Sequence, residues 1–437
     1  EKNKVHLLRL LMAGLALFQI VYACLNYREG VFADQWDLVP ILTSYLNQGD
    51  WLAQVFSHHG DHFHAAAYLI MLPIAKLSEW NLLYELVAIL IINVLSFFFF
   101  YKSIFSSFVT HRSDYWFTTS LLISAMYFSV AHGGNLLWTW QLAVYLVVFG
   151  LGLTVYGLTS FRSYNIGFIL AVLGATIASF SFSSGFSIWP IGIFLILTQN
   201  QLGLIKRLSL CSIWGVIGLS ILVLFLHDTG GSFSQGLDFS PWRSLVFLLY
   251  FLGTPLAYFS RELSLIVASI GLISFAYLVY KVMPMLAVAK SRFFYVAIAL
   301  ALFAIITGLL TSLGRVELGF SQARSFRYIV FSQFFWFALF ALVWLRQNLD
   351  PVKMTYKKPI WGCLCFCMIL TAFNAQKIGR SASKSAQVQH LFWNEFQSAS
   401  PDQKNAMLIS LEYPDDALIV EYGTLLKDNG MNLYREN

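Results

Sequence analysis

The chain has 437 residues, of which 58% are hydrophobic and only 11% charged, with a formal net charge of +6. At about 20 residues per bilayer span, such an apolar excess over an ordinary globular composition excludes a soluble enzyme, a disordered scaffold and a nucleic-acid-binding protein. A positive balance is expected where basic residues collect in cytoplasmic loops, so the side on which each charge falls is the first thing to decide.

In chain order, apolar segments run from Leu7 to Leu25, Leu82 to Tyr101, Trp116 to Ala131, Leu136 to Leu158, Ile166 to Phe182 and Phe186 to Leu197. They continue at Leu208 to Leu226, Leu263 to Tyr280, Phe293 to Leu313, Tyr328 to Leu345 and Ile360 to Phe373. Two further stretches, Phe63 to Leu77 and Ser244 to Phe259, are short or interrupted by proline, so the expectation is about 11 transmembrane helices and at most about 13. The first run ends in no small-residue cleavage site, and insertion is expected to rely on the spans themselves. Cys363, Cys365 and Cys367 alternate within one span, which spreads their sulfurs around a helix; with Cys24 and Cys211 they are read as packing residues.

Charge arbitrates the count. With the N-terminus cytoplasmic and neither ambiguous stretch crossing, the inner side holds Lys2, Lys4, Arg9, Lys102, Arg112, Arg162, Lys206, Arg207, Lys281, Lys290, Arg292, Arg346, Lys353, Lys357 and Lys358. Against these stand only Glu1, Asp114 and Asp350, which leaves 13 basic and 19 acidic residues outside. Crossing by both ambiguous stretches would put Lys206 and Arg207 outside. The eleven-span arrangement places the long loops on one outer face, together with Trp36, Trp51, Trp80, Trp138, Trp140, Trp189 and Trp242, as in an interfacial aromatic belt. The expected organisation is a transmembrane domain over 1–375, with interface helices in the first outer loop (26–79), and a small helical cap on the outer surface over 376–437.

Chemistry is therefore sought in the outer loops. The first carries Asp34-Gln-Trp36-Asp37 just after the first span. Two carboxylates three residues apart share a face of a short helix and can take a proton from an acceptor hydroxyl or hold a cation; either can equally cap a surface helix near Pro40. Next, His58-His59-Gly-Asp61-His62-Phe-His64 concentrates four histidines in seven residues. This cluster suits a phosphate or substrate clamp, while His58, His62 and Asp61 are weaker metal candidates, with Gly60 interrupting the i, i+4 spacing of helical ligands. The third constellation, Gly314-Arg315 through Arg327-Tyr328, holds Arg315, Arg324 and Arg327 on the face where basic residues are least expected. Guanidinium forks bind phosphate oxygens in pairs; the competing reading pairs them with Glu317 or the first-loop carboxylates. Asn135, Trp138 and Gln141 in one turn, and Gly185 with Trp189-Pro190 in another, suit the gripping of a sugar ring or serve simply as tight turns with tryptophan anchors.

Taken together, Asp34-Gln-Trp36-Asp37, Asp61-His62, Asn135-Leu-Leu-Trp138 with Gln141, Gly185 with Trp189-Pro190, Gly314-Arg315 through Arg327-Tyr328, and Tyr413-Pro414 followed by Leu425, Leu426 and Leu433-Tyr434 resemble the GT-C superfamily of integral-membrane glycosyltransferases, and more narrowly a group of bacterial membrane proteins with similar motifs. The resemblance covers essentially the whole chain, through short motifs. One departure is Asp61, where much of the group carries Glu. What the resemblance implies is an all-α polytopic GT-C-like bundle that moves a sugar from an undecaprenyl-phosphate type of polyprenyl-phosphate donor to an acceptor glycan, lipid or protein, with inversion. Asp34 or Asp37 would be the base. Arg315, Arg324, Arg327, His62 and Tyr328 would hold the donor phosphate, and Trp36, His59, Asp61, Asn135, Trp138, Gln141 and Trp189 would contact the sugar. A divalent cation, Mg or Mn, is the candidate cofactor, with metal dependence left open. The implied location is the bacterial inner membrane, with the active site and the tail periplasmic. The alternatives are a lipid-linked oligosaccharide polymerase or ligase, which needs no first-loop carboxylate, and a transporter or flippase. Transport fits less well, since ionisable residues, Glu85 apart, sit at span ends rather than at the midplane.

Overall fold

The computed structural model describes residues 2–435 apart from 61, 106–115, 162, 229–239, 286–287, 350–356 and 412. Asp61, Arg112, Asp114, Arg162, Asp350 and Lys353 thus lie outside the described residues.

Lipid offers backbone amides nothing to bond to, so long apolar segments close their hydrogen bonds internally as helices. The result is an all-α polytopic membrane protein. In chain order the helices are α1 (Lys2–Leu25), α2 (Leu38–Leu46), α3 (Trp51–Val55), α4 (Ala65–Ser78), α5 (Leu82–Phe100), α6 (Trp116–Tyr127), α7 (Leu142–Thr159), α8 (Tyr164–Ser179) and α9 (Ile188–Leu197). There follow α10 (Leu204–Asp228), α11 (Pro241–Ala257), α12 (Arg261–Val282), α13 (Val288–Arg315), α14 (Ile329–Leu349), α15 (Lys357–Ser398), α16 (Pro401–Ile409) and α17 (Asp416–Asp428). A two-stranded hairpin, β1 (His58–His59) with β2 (His62–Phe63), interrupts the first loop.

Among the described residues eight helices are long and apolar enough to cross a membrane: α1, α5, α7, α10, α12, α13, α14 and α15. Three of the eleven predicted spans form shorter helices, 12 residues in α6, 16 in α8 and 10 in α9. At 1.5 Å per residue, α9 reaches only about 15 Å, half a hydrocarbon core. The polar turns flanking these segments, Ser129–Gln141 and Ser181–Ser187, take up residues that an apolar count assigns to helix.

Helix α14 is the axis of the bundle. Its most apolar stretch is 94% buried, against 17% for α12 and 22% for α10, whose exposed isoleucines, leucines and valines form the lipid-facing wall. Helices α7 and α8 approach through small residues: a Cβ on Gly157 would stand 2.3 Å from the Gly167 carbonyl oxygen, and one on Gly150 2.3 Å from that of Gly174. Both pairs are seven residues apart, so they share one face, the packing mode that membranes favour where apolar burial gives no preference between helices.

The loops divide between two ends. One end gathers the first loop, the turns at 129–141 and 180–188, the segment 315–328 and the C-terminal cap, through Trp138 Nε1 on the Phe32 carbonyl (3.2 Å), the Ala66 amide on the Phe180 carbonyl (2.9 Å) and Asn135 Nδ2 on the Arg327 carbonyl (3.2 Å). The opposite end joins Arg292 to Ser160 and Gln199 to the Leu158 carbonyl. Both ambiguous stretches keep to the first end. Helix α4 starts beside Phe180 and ends where Asn432 binds Glu79 and Trp80. In α11, Arg243 bonds Glu317 and the Val316 carbonyl, while Tyr258, one residue beyond its last turn, receives Arg324.

The tryptophan belt expected from the sequence is largely absent. Trp36, Trp80, Trp138, Trp140 and Trp189 are buried, whereas Trp242 is 71% exposed. For three of them the indole N–H finds its partner inside the protein: Trp80 donates to Glu85, Trp138 to Phe32 and Trp189 to Ser179.

Candidate functional site

The acidic turn is a 3₁₀ segment, Ala33–Asp37, that leads directly into α2. Ala33 adopts φ +49°, a left-handed conformation that costs a non-glycine residue about 1 kcal/mol or more and is typical of sites where surrounding structure enforces it. The enforcing contacts are from Gln35, which is buried, accepts from the Phe32 amide (3.2 Å) and donates to Thr139 Oγ1 (2.8 Å). Thr139 in turn donates to the fully buried Glu85 (2.6 Å), which also accepts from Trp80 Nε1 (2.9 Å). With Gln35 turned inward, Asp34 is left half-buried, facing a cavity of about 280 Å³.

That cavity unites three of the predicted constellations. Asp34, His59, His62, His64, Trp140, Gln141, Phe182, Arg315 and Arg327 line it. The histidines reach it through a hairpin rather than a helix: Gly60 takes φ +55° at its turn, and the register pairs His59 with His62 and His58 with Phe63. Opposed residues share a face of a ladder, so His59 and His62 face the cavity. His58 turns to the other side, against Phe63 and Phe225 (ring centroids 4.4 and 4.9 Å). The i, i+4 pairing of His58 with His62 considered from the sequence therefore does not form. Among the described residues no group of three or more His, Cys, Asp or Glu is arranged to hold a metal, and Asp61 lies outside them.

His64 is 2% exposed and stacked on Trp140 at 4.9 Å, with its Nδ1 unbonded. Burial, with His62 and His59 alongside, holds its imidazole well below the usual range, so it is neutral. Gln141 Oε1 and Arg327 Nε are likewise buried without a hydrogen-bond partner. Buried polar atoms are rarely left so, and this set offers one acceptor, one cationic donor and one neutral imidazole to whatever fills the space.

The remaining predicted residues lie around the cavity rather than on it. Asp37 accepts from the Tyr413 hydroxyl of the cap and sits 3.5 Å from His59 Nδ1. Burial, then Asp37 itself, pushes the Tyr413 hydroxyl up, keeping it a donor. Asn135 holds the Arg327 backbone, and Trp138 packs edge-on against Phe32. Trp36 is buried on the inner side of the acidic turn, and Trp189 packs at a tilt against Trp214, off the cavity lining. Arg324 turns to the Tyr258 carbonyl and ring, and Tyr328 is buried against Phe251. Glu317 pairs with Arg243 at 2.8 Å.

Sequence reasoning did not single out Trp140 or Phe182 as wall residues, and placed His64 only within the histidine cluster. Trp140 stands two positions from Trp138 in a turn with no periodicity to separate them. No family model, curated protein or solved structure matches this chain.

Proposed function

We propose that the protein is a membrane glycosyltransferase of the GT-C kind, passing a sugar from an undecaprenyl-phosphate type of donor to an acceptor hydroxyl with inversion, on the periplasmic face of a bacterial inner membrane. The observation that carries this reading is one half-buried carboxylate, Asp34, on the same small cavity as two arginines, Arg315 and Arg327. Asp34 takes the proton of the acceptor hydroxyl. The acceptor oxygen then forms its bond to the anomeric carbon as the bond from that carbon to the phosphate oxygen breaks, and the electron pair leaves on the lipid phosphate. Guanidinium groups fixed beside that phosphate stabilise its growing charge without reorganising, which is where most of the rate enhancement arises. Trp140 offers the sugar a flat apolar face, and Gln141 Oε1 a hydroxyl acceptor.

A cavity of about 280 Å³ stands at the small end of ligand sites and suits one sugar ring with its phosphate. This supports a monosaccharide donor over the polymerase or ligase alternative. Among the described residues the one fully buried carboxylate in a span, Glu85, is engaged by Trp80 and Thr139, which argues against its serving as a transport site.

The test is turnover of undecaprenyl-phosphate-linked hexoses by the purified protein in nanodiscs. Asp34→Asn lowers transfer by roughly 10²–10⁴-fold while the protein still folds; wild-type turnover in both Asp34→Asn and Asp37→Asn defeats the reading. Orientation is tested separately: a cysteine placed in 376–437 reacts with an impermeant thiol reagent on intact spheroplasts, and one near Lys357 does not. The reverse pattern inverts the topology.

A further inference from the structure

The acidic turn and the C-terminal cap are joined by more than surface packing. Asn432 donates its backbone N–H to the Glu79 carbonyl (2.7 Å) and its side-chain amide to the carbonyls of Trp80 (2.9 Å) and Glu29 (3.3 Å). From Trp80 the bonds continue without a gap: indole to Glu85, Glu85 to Thr139, Thr139 to Gln35, Gln35 to the Phe32 amide. Gln35 is the immediate neighbour of Asp34. A second bond, from Tyr413 to Asp37, reaches the other end of the same turn.

Backbone strain marks both ends of this chain. Glu79, Trp80 and Asn432 take φ of +52°, +53° and +53°, and Ala33 takes +49°. Two consecutive left-handed non-glycine residues, Glu79 and Trp80, persist only where the surroundings over-determine them. Here the surroundings are Asn432 on the backbone side and Glu85 on the indole side, with Trp80 wholly buried between them. Buried polar chains of this sort are high-stakes: fully bonded they fix one arrangement, and a single missing link leaves several groups unsatisfied.

We propose that Asn432 and Tyr413 are positioning residues for the acidic turn, so that the C-terminal cap sets where Asp34 stands relative to Arg315 and Arg327. The assignment of Asp34 as base rests on the function proposed above; the mechanical link does not. Neither cap residue lines the cavity, and each acts through other residues: Asn432 through Trp80, Glu85, Thr139 and Gln35, Tyr413 through Asp37.

The experiment is hydrogen exchange on the full chain in nanodiscs, with undecaprenyl phosphate affinity measured alongside. In Asn432→Gly the left-handed backbone and its N–H bond to Glu79 are kept and only the side-chain amide is lost. Amide exchange over 33–38 is expected to rise at least tenfold, with α7 and α14 unchanged. Thr139→Val, which cuts the same chain in its middle, gives the same local rise, and Thr139→Ser, which restores the hydroxyl, reverses it. Tyr413→Phe loosens 37–38 most. Undecaprenyl phosphate affinity stays within about twofold of wild type, because the arginines are off the chain. Unchanged exchange over 33–38 in Asn432→Gly overturns the proposal. So does a rise shared with α7 and α14, which makes Asn432 an ordinary fold contact. Absence of sugar transfer by the wild type counts against the glycosyltransferase reading alone, since the exchange result is independent of turnover.

Discussion

Two cavities of nearly equal volume lie at opposite ends of the bundle, about 280 Å³ around Asp34 and about 240 Å³ around Arg292. They differ in the state of their polar groups. At the Arg292 end the bonds close locally: Thr159 to Val155, Thr198 to Leu195, Gln199 to Leu158, Arg292 to Ser160. At the Asp34 end, Gln141 Oε1, His64 Nδ1 and Arg327 Nε are buried and unbonded. Size alone does not separate a functional site from a gap between helices. Unspent hydrogen-bonding capacity marks the Asp34 end out, because each such atom carries a desolvation penalty of about 1–3 kcal/mol that a ligand or an ordered water relieves.

The comparison breaks most visibly at Asp34. Loss of a general base costs roughly 10²–10⁴-fold in rate, so Asp34→Asn should lower turnover by that much while undecaprenyl phosphate binding, followed by thermal shift, persists. Next in size is Arg327. A charge-assisted bond contributes about 1.5–3 kcal/mol, or roughly ten- to hundred-fold in affinity. Arg327→Ala should weaken undecaprenyl phosphate binding by that factor, with Arg327→Lys between, since lysine keeps the charge but loses the fork. Glu317→Gln should be mild, because Glu317 engages Arg243 outside the cavity.

A smaller effect concerns pH. The His64 imidazole is held below its ordinary value in the fold, so below about pH 6.5 the unfolded chain takes up a proton there that the folded one refuses, and stability falls. The melting temperature should drop between pH 7.5 and pH 5, and His64→Phe, which can still stack on Trp140, should remove part of that drop. The smallest effect is expected at the other cavity: Arg292→Ala should change turnover less than twofold. A large loss there would erase the distinction between the two ends.

How much of this was legible in the sequence varies residue by residue. Arg315 and Arg327 announced themselves by carrying charge where the sequence reading expects it least, yet Arg324 sent the same signal and turns to Tyr258, off the cavity. Charge reports the side of the membrane, not the direction of a side chain in a loop of successive 3₁₀ turns. The histidine cluster was visible as composition, but which histidines face inward depends on a hairpin register set at Gly60. Tryptophans near span ends read as a belt because hydropathy cannot distinguish a lipid interface from a buried indole with a partner. Helix length was legible where apolar runs were uninterrupted, as in α13 and α14, and overstated where polar turns cut in, as in α6 and α9. The contact of Tyr413 with Asp37 spans 376 positions and leaves no periodic trace.

That separation also orders the making of the molecule. Helix α15 runs unbroken for 42 residues, about 63 Å at 1.5 Å per residue, from the membrane into the cap. The acidic turn is made well before the cap, since Asn432 is translated 403 positions after its partner Glu29. Until that later segment has been seated, the strained turn at Ala33 lacks its support through Trp80. A nascent chain that has not yet reached Asn432 therefore holds its cavity residues without that support, and the arrangement around Asp34 is completed only once the cap has been made.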